Sequence, residues 1–126
     1  MDLDEFHDEI EMRLPEGVDV EPDDAARAVL SALAHRLTAD EAAELAEQLP
    51  DGLGEPLASA TGERPFERDG FIEDVASRLD VDDVDGERVA LAVLGAIRSA
   101  LEPGVGSEQV MESLPSDLAL LMHAVE

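Results

Sequence analysis

The sequence contains no cysteine, no lysine, no tryptophan and no tyrosine, and three phenylalanines are its only aromatic residues. Without cysteine, neither a disulfide framework nor a thiolate metal site can form. Because cysteine, lysine and tyrosine are all absent, serine and threonine are the remaining side-chain nucleophiles apart from carboxylates and histidine, and no serine lies in a G-x-S-x-G motif. No run of 18 apolar residues is present, which excludes a membrane-spanning segment.

Basic residues are also scarce. Eight arginines face 32 aspartates and glutamates, which gives a formal net charge of −24. Such a charge opposes collapse, but 44% hydrophobic content in helical spacing argues against disorder. A surface that mimics nucleic acid is a second interpretation. We favour adaptation to a salt-rich cytoplasm, where counterions screen self-repulsion over about 3 Å at 1 M salt. The same charge predicts that neither nucleic acid nor an anionic membrane is a partner.

The length of 126 residues is that of one ordinary domain, which we place at residues 1–126. Three of the first five residues are acidic, whereas a secretory signal peptide begins with basic residues. We therefore expect the protein to remain in the cytoplasm.

The chain resembles one helical unit written twice. The segment 28–37 returns as 92–101, so that Val29, Leu30, Leu33 and Leu37 recur as Val93, Leu94, Ile97 and Leu101. This spacing places the four apolar side chains on one helix face. Phe6, Ile10 and Leu14 recur at an offset of 65 as Phe71, Val75 and Leu79. We predict an all-α, internally duplicated helical bundle of about seven to eight short helices in two pseudo-symmetric repeats: repeat one 2–57, linker 58–66 and repeat two 67–126.

Local signals predict where individual helices begin and end. Thr38-Ala-Asp-Glu41 is a capping box, and residues 50–57 form either a turn or a single helical turn, because they contain glycine and proline. The remaining predicted helices span 2–14, 22–37, 69–79 with Asp69 as N-cap, 85–101 with Asp85 as N-cap, 107–114, and 116–125.

Three features together resemble a known family: the opening helix with its phenylalanine, the Ala-Val-Leu helix, and an acidic, alanine-rich helix that ends Gln48-Leu49-Pro50. The strongest resemblance lies in residues 25–30, Ala-Ala-Arg-Ala-Val-Leu, and in residues 42–50. The pattern resembles the uncharacterised prokaryotic family called domain of unknown function 2267, over nearly the whole chain. The acidity and missing lysine resemble a haloarchaeal member. The resemblance implies a helical fold and brings no activity, cofactor or catalytic residue.

Two short patterns contain residue types that can bind metal ions. Residues 80–87, Asp-Val-Asp-Asp-Val-Asp-Gly-Glu, contain many carboxylates, but an EF-hand alignment on Gly86 puts Val81 and Ala92 at ligand positions, so a capped helix start is the better interpretation. His7 and Glu11 have the i,i+4 spacing of a chelating pair without a second histidine nearby. His123, on the most apolar predicted helix, is interpreted as a hydrogen-bonded boundary residue.

Arg13 and Arg78 occupy equivalent positions in the two repeats, and Arg36 lies near the end of its helix. We expect each of the three to bridge two carboxylates across helices, because the planar guanidinium forms two parallel hydrogen bonds. The alternative is an anion site for a small ligand.

The final predicted helix has apolar residues around more of its circumference than one buried stripe requires. Its candidate interface residues are Leu120, Leu121, Met122 and Val125. One side of this helix would complete the core and the other would meet an unknown protein partner or a second copy in a homodimer. Burial between the two repeats explains the same pattern.

These observations favour a non-catalytic interaction or regulatory module that is adapted to high salt. No catalytic residue, metal or cofactor is expected. The alternative is a protein that binds a small molecule or a metal ion in the cleft between the two repeats, where ligand sites commonly lie.

Overall fold

A computed structural model describes residues 2–49, 52–58, 60, 62 and 67–100, with the exception of the Gln48 side chain. Within these residues the chain is all-helical and contains no strand. Six helices follow one another: α1 (Leu3–Arg13), α2 (Pro22–Ala34), α3 (Ala39–Gln48), α4 (Gly54–Leu57), α5 (Arg68–Leu79) and α6 (Asp83–Ala100). The predicted helices at 107–114 and 116–125 lie outside the described residues, so the expected total of seven to eight stays a prediction. In the part of the chain that is described, no helix is long and apolar enough to cross a membrane.

Most helix starts follow the local signals. The capping box of α3 is confirmed: the Thr38 hydroxyl accepts from the Glu41 N–H at 3.2 Å, and the Glu41 carboxylate accepts from the Thr38 N–H at 2.8 Å. Pro22 is the first residue of α2, where its missing N–H costs no hydrogen bond. Of the two alternatives for residues 50–57, the chain adopts a single helical turn at α4, which buries Leu57.

Three predicted boundaries are wrong. The second helix ends at Ala34 and not at Leu37, because the last turn tightens with Arg36 bonding back to Leu33 before Thr38 begins the next cap. Asp69 lies inside α5, whose N-cap position is Glu67. Asp85 lies inside α6, since the Asp82 carboxylate accepts from the Asp85 N–H at 2.8 Å and so caps the helix earlier.

The core is formed by the apolar faces that the periodicity indicates. Side chains that are at most 1% exposed include Phe6, Ile10, Val29, Leu30, Leu33, Leu37, Phe71, Val75, Val93, Leu94 and Ile97. They belong to one continuous cluster, which α1, α2, α5 and α6 share. Burial of these aliphatic and aromatic groups is the main stabilising term of the fold.

The main contacts between helices join α1, α2, α5 and α6. The first helix packs against both α2 and α6, while α5 packs against both α6 and α2. The contact between α5 and α6 is close, since a Cβ atom at Gly86 would lie 2.6 Å from the Ala76 Cβ atom. The shorter helices α3 and α4 contact each other, and α4 also packs against α2. This arrangement makes two junctions, α1 with α6 and α2 with α5, and each contains an arginine.

Candidate functional site

The α2–α5 junction contains Arg36, a charged side chain that is 4% exposed. Its Nη1 atom donates to the Ala32 carbonyl at 2.9 Å and to Asp74 Oδ2 at 2.8 Å, and its Nη2 atom donates to the Gly70 carbonyl at 3.2 Å. The guanidinium lies 5.9 Å from the centre of the Phe71 ring, within cation–π range. Its Nε atom is buried without a hydrogen-bond partner among the described residues. Arg36 thus joins two helices through one carboxylate and two carbonyls.

Asp74 on α5 is the carboxylate that this junction shares. Its Oδ2 atom accepts from Arg36, and its Oδ1 atom accepts from Arg78 Nε at 3.0 Å, one helical turn along the same helix. Burial raises the pKa of Asp74, but the hydrogen bond from Arg36 and the charges of Arg78 and Arg36 outweigh burial. The pKa of the carboxyl therefore lies below its ordinary value of 3.8, and the group is ionised at neutral pH.

This geometry reverses the arrangement expected for Arg36 and Arg78. We expected each arginine to bridge two carboxylates, whereas here one carboxylate bridges two arginines. The reason is that main-chain carbonyls of Ala32 and Gly70 accept from the two Nη atoms of Arg36. A buried guanidinium needs acceptors, and a neutral carbonyl supplies one without a second buried charge.

The α1–α6 junction contains Arg13. Its Nε atom donates to Glu9 Oε2 at 3.2 Å within α1, and its Nη2 atom donates to Ser99 Oγ on α6 at 3.1 Å. A Cβ atom at Gly95 would lie 2.6 Å from Arg13 Nη1, so the guanidinium rests directly on the α6 backbone. Gly95 therefore makes room for this contact between helices.

A groove of about 460 Å³ lies between α2 and α5, next to Arg78, which binds Asp74. It is lined by Asp24, Arg27, Ala28, Ser31, Arg78 and Leu79. Arg27 Nε lies 3.3 Å from the Asp23 carboxylate, one turn earlier in α2. A smaller groove next to α4 shares Arg27 and Ser31 with the first. Two arginines and a hydroxyl thus meet at one surface depression.

Two short patterns in the sequence contained candidate metal ligands. His7 Nε2 lies 3.7 Å from an oxygen of Asp23 on α2. In the segment 80–87, Asp80 ends α5 in the left-handed conformation and Asp82 caps α6, as expected for a capped helix start. The described residues contain no group of three or more histidine, aspartate or glutamate side chains placed to hold a metal ion.

The candidate interface residues Leu120, Leu121, Met122 and Val125, and likewise His123, lie outside the described residues. Sequence reasoning missed Asp74 and Gly95. A signal for Asp74 exists, because the pairs Glu9–Arg13 and Asp74–Arg78 both have i,i+4 spacing at an offset of 65. Nothing comparable identifies Gly95, which in the sequence is one glycine within a helical pattern.

Comparison with curated proteins finds no match for this chain. A family model described as "Uncharacterized conserved protein (DUF2267)" matches residues 3–121, nearly the full sequence. The matched region includes both arginine junctions and the groove between α2 and α5, and the family description assigns them no activity. The resemblance noted from residues 25–30 and 42–50 is confirmed at the level of the family. The chain belongs to the DUF2267 family.

Proposed function

We propose that this protein is a non-catalytic interaction or regulatory module of the cytoplasm. The observation that supports this proposal most is the use of its arginines: Arg13 and Arg36 each hold two helices together, and Arg78 holds the carboxylate that Arg36 binds. Each of these cations makes at least one contact that supports the fold, and the helical surface around them is acidic. Such a framework is suited to presenting a surface to a partner.

The module is proposed to be internally duplicated, with repeat one at 2–57, a linker at 58–66 and repeat two at 67–126. Two observations support the duplication. The core positions Phe6 and Ile10 correspond to Phe71 and Val75 at an offset of 65, and all four are buried. The packing of α1 on α6 is also the counterpart of the packing of α5 on α2.

The partner is proposed to be an unidentified protein or a second copy of the chain, bound through Leu120, Leu121, Met122 and Val125. Light scattering after gel filtration in molar KCl tests this proposal with Leu121→Asp. We expect a dimer for the unchanged protein and a monomer with the same circular dichroism for the variant. The matched control is Val84→Asp, which replaces an exposed apolar residue of α6 and leaves the dimer intact. A monomer in every sample contradicts self-association and leaves capture of a protein from lysate in molar salt as the test of a foreign partner.

The acidity is proposed to be an adaptation to high salt, as in a haloarchaeal member of the family. The net charge of −24 repels itself in dilute buffer, and salt screens that repulsion. The free energy of unfolding should therefore rise steeply with KCl concentration. Neutralising two exposed carboxylates of α1, with Asp8→Asn and Glu11→Gln, should reduce this dependence. Full compaction and unchanged stability in dilute buffer contradict the proposal.

A second candidate function is the binding of a small molecule or a metal ion in the cleft between the repeats. The groove between α2 and α5 favours it, because Arg27, Ser31 and Arg78 face one depression at the boundary of the two proposed repeats. A thermal-shift screen with metals, nucleotides and metabolites in molar salt discriminates the two functions. A specific shift supports ligand binding, whereas co-purification of one protein without any shift supports the interaction module.

A further inference from the structure

The groove between α2 and α5 lies where arginines are concentrated in a strongly negative protein. Arg27, Arg36 and Arg78 are three of only eight cationic side chains, and all three belong to this junction. Three aspartates, Asp23, Asp24 and Asp74, match these arginines in number, so the six side chains carry no net charge in a chain of net charge −24. In molar salt the remaining surface carboxylates are screened within about 3 Å, so only groups in direct contact decide what binds.

The groove also holds hydrogen-bond donors that the described residues leave unused. Arg78 binds Asp74 through Nε alone, and Arg27 binds Asp23 through Nε alone, so that the Nη atoms of both remain available. The Ser31 hydroxyl, which is half-buried on α2, makes no hydrogen bond within the described part of the chain. Guanidinium Nη pairs and a hydroxyl are the donors that recognise carboxylate and phosphate oxygens.

At the other junction, the corresponding place on the helix surface is occupied by Arg13. Arg13 and Arg78 are equivalent at an offset of 65, and Gly95 and Ser31 are equivalent at an offset of 64. Over Gly95, Arg13 lies on the α6 backbone and bonds to Ser99. By this sequence correspondence, the Ser31 side chain takes the place that Gly95 leaves empty on α6. We infer that it keeps Arg78 off the α2 backbone, and both residues line the groove.

We propose that this groove binds a small organic anion through its carboxylate or phosphate group. Arg27, Ser31 and Arg78 hold the oxygens, while Ala28 and Leu79 contact a short apolar body. A groove of about 460 Å³ falls within the size range of small-molecule sites. The inference deepens the second candidate function and rests on it.

The test is a titration of the full-length, ¹⁵N-labelled protein in molar KCl at constant ionic strength. The two probes are inorganic phosphate and butyrate, which distinguish a phosphate from a carboxylate with an apolar chain. Binding should shift the backbone amide signals of Ala28, Ser31 and Leu79. Arg78→Gln and Arg27→Gln should each raise the dissociation constant about tenfold, which is the size expected for loss of a charge-assisted hydrogen bond. Arg88→Gln is the matched control, because Arg88 is an exposed residue of α6 outside the groove.

Each outcome decides a separate question. Weakening by both groove variants, with the control unchanged, supports the proposal, and the stronger probe identifies the anion class. Binding that the groove variants leave unchanged overturns the site but leaves the ligand-binding function standing. Absence of binding for both probes overturns the anion proposal, and the wider thermal-shift screen then decides whether any ligand binds. Ser31→Gly supplies an independent check. The Arg78 side chain should then move onto the α2 backbone, so the amide signals around Arg78 should change and anion binding should be lost.

Discussion

The two junctions between the helices use arginine in different ways. At α1–α6 the guanidinium of Arg13 is partly exposed and lies over Gly95, where the missing side chain lets it touch the helix backbone. At α2–α5 the guanidinium of Arg36 is buried, and it needs Asp74 and two carbonyls to satisfy it. The first contact adds to packing that the apolar core already provides. The second is part of the core, so its removal leaves two carbonyls without a donor and Asp74 with Arg78 as its remaining partner.

The largest expected effect is that of Arg36→Ala. The substitution leaves the largely buried Asp74 without its principal partner and leaves the carbonyls of Ala32 and Gly70 without a donor. Breaking a buried ion pair on one side costs about 3–5 kcal/mol. Urea unfolding in molar KCl measures the loss. The control is Arg27→Ala, whose 67% exposed side chain should contribute at most about 0.5 kcal/mol. Equal losses for both variants contradict a central role for Arg36.

Asp74→Asn should be next in size, at about 1–3 kcal/mol at pH 7. Because the folded-state pKa of Asp74 is lowered, ionised Asp74 stabilises the fold above the unfolded pKa of 3.8. That contribution is lost as the pH falls from this value through the lower, folded-state pKa.

The difference in unfolding free energy between Asp74→Asn and the unchanged protein should therefore be constant near neutral pH and shrink below pH 3.8. Unfolding curves in molar KCl at about pH 7, 5 and 3 measure it, because the first two values lie above 3.8 and the third lies below. A difference that grows as the pH falls contradicts this ionisation model.

Gly95→Ser tests the α1–α6 junction and should cost about 1 kcal/mol. The new side chain displaces Arg13 from α6 and breaks its hydrogen bond to Ser99, while replacement of a helical glycine recovers part of the loss. In an Arg13→Gln background the same change should be neutral or stabilising. A double-mutant cycle in urea measures the coupling, and additive effects of the two substitutions would show that Arg13 does not occupy the space over Gly95.

Among the substitutions within the two junctions, Arg78→Gln should have the smallest effect on stability, at about 0.5 kcal/mol. Its ion pair with Asp74 is a partly exposed i,i+4 contact within one helix. Asp74 keeps the stronger bond from Arg36, so no charge is stranded. Urea unfolding compares it with Arg13→Gln, which should cost more because Arg13 connects two helices. A larger loss of stability for Arg78→Gln than for Arg13→Gln would contradict this ranking, because Arg78 would then contribute more to folding than Arg13.

Sequence reasoning succeeded where the determining contacts are local. The burial of Phe6 and Ile10 follows from helical spacing, and the Thr38–Glu41 capping box lies within four residues. The end of α2 was predicted three residues too late, because the apolar stripe continues through Leu37 while the chain already turns. The spacing of apolar residues indicates which side chains are buried, and a buried residue such as Leu37 need not be helical.

The polar contacts of the site were less accessible. Arg36 was identified, but its partner Asp74 lies 38 residues away and becomes a neighbour only when α5 packs on α2. Local spacing indicates the pair Asp74–Arg78, yet it does not indicate that Arg36 shares the same carboxylate. Gly95 acquires its role from the position of Arg13 on another helix. Such contacts depend on how helices cross, which a single sequence does not specify.

The close contact between Gly86 and Ala76 has a kinetic consequence. Helices α5 and α6 are joined by residues 80–82 alone, so closing their hairpin involves a very short loop and little loss of chain entropy. Proteins rich in contacts between near neighbours fold fastest. This hairpin is therefore expected to assemble before the N-terminal helices dock onto it, and the order in which amides gain protection during refolding would display that sequence of events.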